Sequence, residues 1–93
     1  MNIEITARNF TPSQELKTFI EDRLIKLLKY DSNISFSKVV LNKESRAEKV
    51  ELIITSNKNQ YITKCYSSVF EKTVAKAIDN IKIQIRKKNS WNV

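Results

Sequence analysis

Residues 50–66 decide the fold: Val50-Glu51-Leu52-Ile53-Ile54-Thr55-Ser56-Asn57-Lys58-Asn59-Gln60-Tyr61-Ile62-Thr63-Lys64-Cys65-Tyr66. Val50, Leu52 and Ile54 alternate with Glu51, Ile53 and Thr55, which is the period-two pattern of a strand with one buried face. Asn57-Lys58-Asn59 then supplies a hairpin connection without glycine, because asparagine tolerates a left-handed backbone better than most residues. A further strand runs from Gln60 to Tyr66. Immediately downstream the period changes. Ser68 followed by Glu71 forms a capping box, and Phe70, Val74, Ala77, Ile78, Ile81 and Ile85 recur at helical spacing up to about Lys87. The tail, Lys88-Asn89-Ser90-Trp91-Asn92-Val93, has no period and is expected to fray.

Upstream, Ile3, Ile5 and Ala7 alternate with Glu4, Thr6 and Arg8 in a first half-buried strand. At Thr11-Pro12-Ser13-Gln14, Thr11 is the expected cap of a helix, Pro12 suits its first position, and Gln14 completes a capping box. Leu16, Phe19, Ile20, Leu24 and Leu27 gather into one apolar stripe, which predicts a helix from Pro12 to about Lys29. Asp31-Ser32-Asn33 breaks it with turn-forming side chains, and a strand follows from Phe36 to Lys43. Glu44-Ser45-Arg46-Ala47 is the turn into residues 50–66. The order is β-α-β-β-β-α, an α+β fold in which a four-stranded sheet with both helices packed on one face buries both stripes together.

At 93 residues the chain holds one domain, 1–93, and one core. The single cysteine, Cys65, excludes an intramolecular disulfide and a cysteine-rich metal site, in keeping with a cytoplasmic setting. No apolar run suggests a signal peptide or a membrane span. Histidine and glycine are both absent, which removes the Ser-His-Asp triad, the glycine-rich phosphate loop and the dinucleotide fingerprint. Glu21 and Asp22 are helix neighbours that diverge by about 100° and form no acid/base pair. The expectation is a protein that is not an enzyme and has no cofactor, no metal and no small-molecule substrate.

Charge is the informative quantity. Seventeen Lys and Arg against ten Asp and Glu leave a formal +7, which points to a polyanionic partner. From Ser68 onward, Lys72, Lys76, Lys82, Arg86, Lys87 and Lys88 face only Glu71 and Asp79, so the excess is concentrated in the last quarter of the chain. On a helical wheel, Lys72, Lys76, Arg86 and Lys87 lie opposite the apolar stripe, with Lys82 at its flank. Arg23, Lys26 and Lys29 run along one flank of the first helix. Two adjacent helices would thus share a basic surface able to straddle phosphates. The plainer alternative is that these cations solvate helix faces and complement helix C-termini, a strong alternative for Lys87 and Lys88.

Other residues carry less. Cys65 reads as a small core residue, Tyr30 as an anchor of the first helix's end or a base-stacking ring, and Trp91 as a contact or a disordered side chain. Val40, Ile53, Ile62 and Tyr66 are expected on the uncovered sheet face, where either a protein contact or strand propensity alone accounts for them.

Several local words in this layout resemble the ribosome hibernation-promoting factor family, which includes the ribosome-associated translation inhibitors. They are Ile3-Glu4-Ile5-Thr6-Ala7-Arg8-Asn9, the Phe19…Arg23-Leu24…Lys26-Leu27…Tyr30 spacing, Val39-Val40-Leu41, and Ala77-Ile78-Asp79…Ile81…Gln84-Ile85…Lys87. The resemblance covers nearly the whole chain, with one departure: Val69-Phe70-Glu71-Lys72 stands where the family usually carries an acidic-x-Tyr pattern. It implies a fold similar to a double-stranded-RNA-binding domain. It also implies a stress-related, stationary-phase role, in which the protein binds the small ribosomal subunit in the messenger and transfer RNA channel and inhibits translation by steric occlusion. Arg23, Lys26, Lys29, Lys72, Lys76, Arg86 and Lys87, with Lys88 continuing the series, would then lie against ribosomal RNA. The partners would be the small subunit, its rRNA and the intact ribosome, with no membrane, and pairing of ribosomes into dimers stays open. Ending at Val93, the chain looks like the short form of the family or the N-terminal domain of a long one. A free-standing double-stranded-RNA-binding module is the rival, since the same element order serves both.

Overall fold

A computed structural model describes residues 1–57 and 59–90, with the backbone alone at 89 and 90. Lys58 of the expected hairpin and Trp91, Asn92 and Val93 of the expected tail lie outside the described residues. The elements are β1 (Asn2–Arg8), α1 (Gln14–Ile25) continued by a 3-10 turn (Lys26–Lys29), β2 (Ile34–Lys43), β3 (Glu48–Ser56), β4 (Asn59–Ser67) and α2 (Phe70–Ser90). They form one four-stranded sheet in the order β1-β2-β3-β4. β1 runs parallel to β2, and β2, β3 and β4 form the antiparallel meander.

Both helical stripes meet one face of this sheet. Leu16, Ile20, Leu24 and Leu27 from the first helical segment, and Phe70, Val74, Ala77, Ile78, Ile81 and Ile85 from α2, close over Val39, Leu41, Val50, Leu52 and Ile54. Phe19 packs against this core only in part. The pattern follows from periodicity: alternate strand residues and every third or fourth helical residue are the ones that turn inward. Phe10 stacks on Phe70 with ring centroids 4.7 Å apart, pinning the β1–α1 loop to the start of α2.

The helix boundaries differ from those read in the sequence. Ser13, not Thr11, caps α1: its hydroxyl accepts from the Leu16 amide at 3.1 Å, and Gln14 donates instead to the Thr18 hydroxyl at 3.4 Å. The final turn tightens to 3-10 geometry over Lys26–Lys29. At α2 the expected capping box gives way to a tertiary cap, in which the Phe70 amide donates to Glu48 Oε1 at 2.7 Å. Glu48 lies at the start of β3, so a carboxylate from the sheet meets the helix N-terminus, where negative charge is favoured. The helix then continues past Lys87 to Ser90.

Among the described residues, positive φ occurs at Asn9 (71°) and Asn57 (51°), so asparagine performs turns that glycine would otherwise make. Glu44-Ser45-Arg46-Ala47 closes as a turn through the Glu44 amide and the Ala47 carbonyl, 2.9 Å apart. On the uncovered face, Ile62 and Tyr66 are 49% and 67% exposed, whereas Val40, set between Thr6 and Glu51, is buried.

Candidate nucleic-acid interface

α2 is held against the sheet along its length by polar contacts on one flank. The buried Thr73 hydroxyl donates to the Glu48 carbonyl at 2.9 Å. Lys76 Nζ reaches the Tyr66 carbonyl at 3.5 Å, Asn80 donates to the Thr63 hydroxyl at 3.2 Å, and Gln84 donates to the Ile62 carbonyl at 2.9 Å. Residues 76, 80 and 84 are one helical turn apart, so they form a rail along β4, an edge of the sheet. The rail fixes the rotation of α2 and with it the direction of its outer side.

That outer side carries Lys72, Lys76, Arg86 and Lys87, all exposed. Arg23, Lys26 and Lys29 are exposed on the first helical segment. Arg23 and Lys26 of the first segment meet Lys82 of α2 in the groove between the helices, which Asp79 also lines. Two of these cations rest on aromatic rings: the Arg23 guanidinium 4.8 Å from the Phe19 ring centre, and Lys82 Nζ 5.2 Å from that of Tyr30. A ring beneath a cation attracts it and restricts its rotamers, so these charges are held near the groove.

The ion pairs described, Lys49–Glu44 and Lys64–Glu51, both lie away from the helices. Among the described residues no carboxylate pairs with Arg23, Lys26, Lys29, Lys72 or Lys76. The acids of the same helices are Glu15, Glu21, Asp22, Glu71 and Asp79, of which Asp79 lies in the groove.

Lys88 stands apart from the other candidates. It is half-buried and follows Ile81 by seven residues, which returns it to nearly the same side of the helix. There it lines a polar cleft with Tyr30, Asp31 and Tyr61, and its charge helps to hold the Asp31 carboxyl low. Lys82 is the converse case, since the wheel of α2 alone puts it at the flank and only the packing of α1 shows that it borders the groove. Its neighbour Tyr30 serves as a platform for that ammonium.

Among the described residues no group of three or more His, Cys, Asp or Glu could hold a metal ion, and no helix is long and apolar enough to cross a membrane. Cys65 is half-buried, with its sulfur 3.3 Å from Asn80 Nδ2.

The arrangement is a four-stranded sheet backed by two helices that present outward cations. The chain matches the model of the sigma 54 modulation protein / S30EA ribosomal protein family over residues 3–90, and it belongs to that family. No curated protein matches it. Among solved structures, it resembles a ribosomal subunit interface protein from Coxiella burnetii, with a TM-score of 0.90, 18% identity, and coverage of 97% of this chain and 99% of that one. It also resembles the N-terminal domain of Protein Y from Thermus thermophilus, with a TM-score of 0.85, 19% identity, and coverage of 94% and 98% respectively. At such identities the likeness is one of fold.

Proposed function

We propose that this protein is a ribosome hibernation factor of the cytoplasm. It binds the small ribosomal subunit in the channel that otherwise holds messenger and transfer RNA, and it inhibits translation by occupying that space. The observation that carries the proposal is the exposure of cations along both helices, with Arg23, Lys26 and Lys82 lining one inter-helix groove, in a member of a ribosomal protein family. Arg23, Lys26, Lys29, Lys72, Lys76, Arg86 and Lys87 contact rRNA phosphates, and Lys82 joins them at the groove. Lys88 acts chiefly within the fold. No bond is made or broken, so the protein is not an enzyme and needs no cofactor.

Phosphate contacts of this kind release counterions, and six to ten of them reduce affinity by ~10³ to 10⁵ over a modest rise in salt. Occlusion also has a consequence that plain RNA affinity lacks. In a purified translation system, adding the protein to vacant ribosomes is expected to block protein synthesis, while ribosomes already loaded with messenger and initiator transfer RNA resist it. Equal binding to vacant and loaded ribosomes contradicts occlusion, and tight binding to generic duplex RNA without binding to ribosomes favours a free-standing duplex-RNA module.

A further inference from the structure

The sheet face that no helix covers has its own chemistry. Strand register lays Arg8, Asn42, Lys49 and Tyr66 in one row across all four strands, and Thr6, Val40, Glu51 and Lys64 in the next. Tyr66 is 67% exposed, and its hydroxyl makes no hydrogen bond among the described residues. Arg8 is exposed as well and makes no ion pair among them. Lys49 and Lys64 do pair, each at 3.2 Å, with Glu44 and Glu51. Those side chains are 33% to 77% exposed, so the pairs are screened by water and exchange readily for another anion.

All of these but Thr6 line one shallow groove of about 380 Å³. Counting Lys38 and Glu4 from the adjoining row, this face carries four cations, Arg8, Lys38, Lys49 and Lys64, against Glu4, Glu51 and Glu44 of the adjoining turn. An exposed ring at one end of a cationic row matches a nucleotide whose base is free. The base stacks on the ring, and the phosphates that follow meet the cations. Three strand spacings, roughly 14 Å, separate Arg8 from Tyr66, so the row reaches beyond a single nucleotide. A duplex, whose bases are stacked inside, offers nothing to Tyr66, and the surface therefore selects single strands.

We propose that the open sheet face is a second RNA-binding surface, which takes a short single-stranded segment with a base stacked on Tyr66 and neighbouring phosphates on Arg8 and Lys49. It lies opposite the helices and does not depend on the ribosome being the target of the helical face.

The test uses the whole chain and fluorescence anisotropy, with a labelled single-stranded RNA oligonucleotide of mixed sequence and the duplex made from it as probes. Tyr66→Ala is expected to weaken single-strand binding by roughly tenfold or more, whereas Tyr66→Phe retains the ring and the affinity. Arg8→Ala weakens the single strand and flattens its salt dependence. Duplex binding stays unchanged in all three variants, and far-UV circular dichroism confirms their fold. The proposal is overturned if Tyr66→Ala leaves single-strand affinity intact, or if it weakens duplex and single strand alike. It is equally overturned if the substitution alters self-association in sedimentation while RNA affinity holds, which would make this face a protein contact.

Discussion

Asp31 gathers three donors from distant parts of the chain. Its Oδ1 accepts from the Asn33 amide at 2.9 Å, and its Oδ2 accepts from the Ser56 hydroxyl at 2.6 Å and the Tyr61 hydroxyl at 3.0 Å. The turn after the first helical segment is thereby tied to the β3–β4 hairpin. Burial pushes the Asp31 carboxyl up, but the bonds from Ser56, Asn33 and Tyr61, with Lys88 nearby, outweigh it and hold the group below its ordinary 3.8. For Tyr61, burial and then the Asp31 bond and charge push the phenol up to about 12. Because the folded carboxyl is the stronger acid, its contribution is present above the unfolded pKa and is lost as pH falls through the lower folded value. For the phenol the contribution is present below 10.0 and is lost as pH rises through about 12. Asp31→Ala leaves two buried hydroxyls without their acceptor and is expected to cost about 1–3 kcal/mol in urea unfolding at neutral pH. Asp31→Asn should flatten the acid limb of stability below pH 3.8 and, in an ultraviolet titration, bring Tyr61 back toward 10.0. A wild-type Tyr61 that titrates at its ordinary value would refute the bond to Asp31.

At the scale of elements, two devices set where α2 lies. The first is the Glu48 cap on the Phe70 amide. Glu48→Ala is expected to cost about 1 kcal/mol and to lower the thermal midpoint, with little change in the folded helical signal. The second is the rail of Lys76, Asn80 and Gln84 on β4. An edge strand with free carbonyls invites pairing with another chain, and these side chains occupy that edge. The double variant Asn80→Ala, Gln84→Ala should associate with itself at concentrations where the parent chain remains monodisperse in light scattering; unchanged scattering would show that the rail is dispensable. These devices also mark what the sequence conceals. Element order and the inward stripes are legible because periods of two and 3.6 are local properties, and every residue of the α2 stripe is indeed buried. Glu48 sits 22 positions from the amide it caps, so the local S-x-x-E pattern at Ser68 and Glu71 competes with a partner that only the tertiary fold supplies. A still longer separation in sequence hides Lys82 over Tyr30, while the exposed positions of Lys72, Lys76, Arg86 and Lys87 follow from the wheel alone.

At the scale of the whole molecule, the covered and open faces of the sheet divide the labour of charge. The helices carry outward cations, and the strands carry cations mixed with acids and an exposed ring. The central claim is that the helical cations, acting together, bind the small ribosomal subunit. Its most direct test is co-sedimentation of the purified chain with ribosomal particles on density gradients at low and raised salt, beside a triple charge reversal at Lys26, Lys76 and Arg86. The parent chain is predicted to travel with small subunits and intact ribosomes at low salt and to leave them as salt rises, and the folded triple variant to remain at the top of the gradient throughout. A parent chain that stays at the top while binding duplex RNA, or a triple variant that sediments as the parent does, would contradict the account.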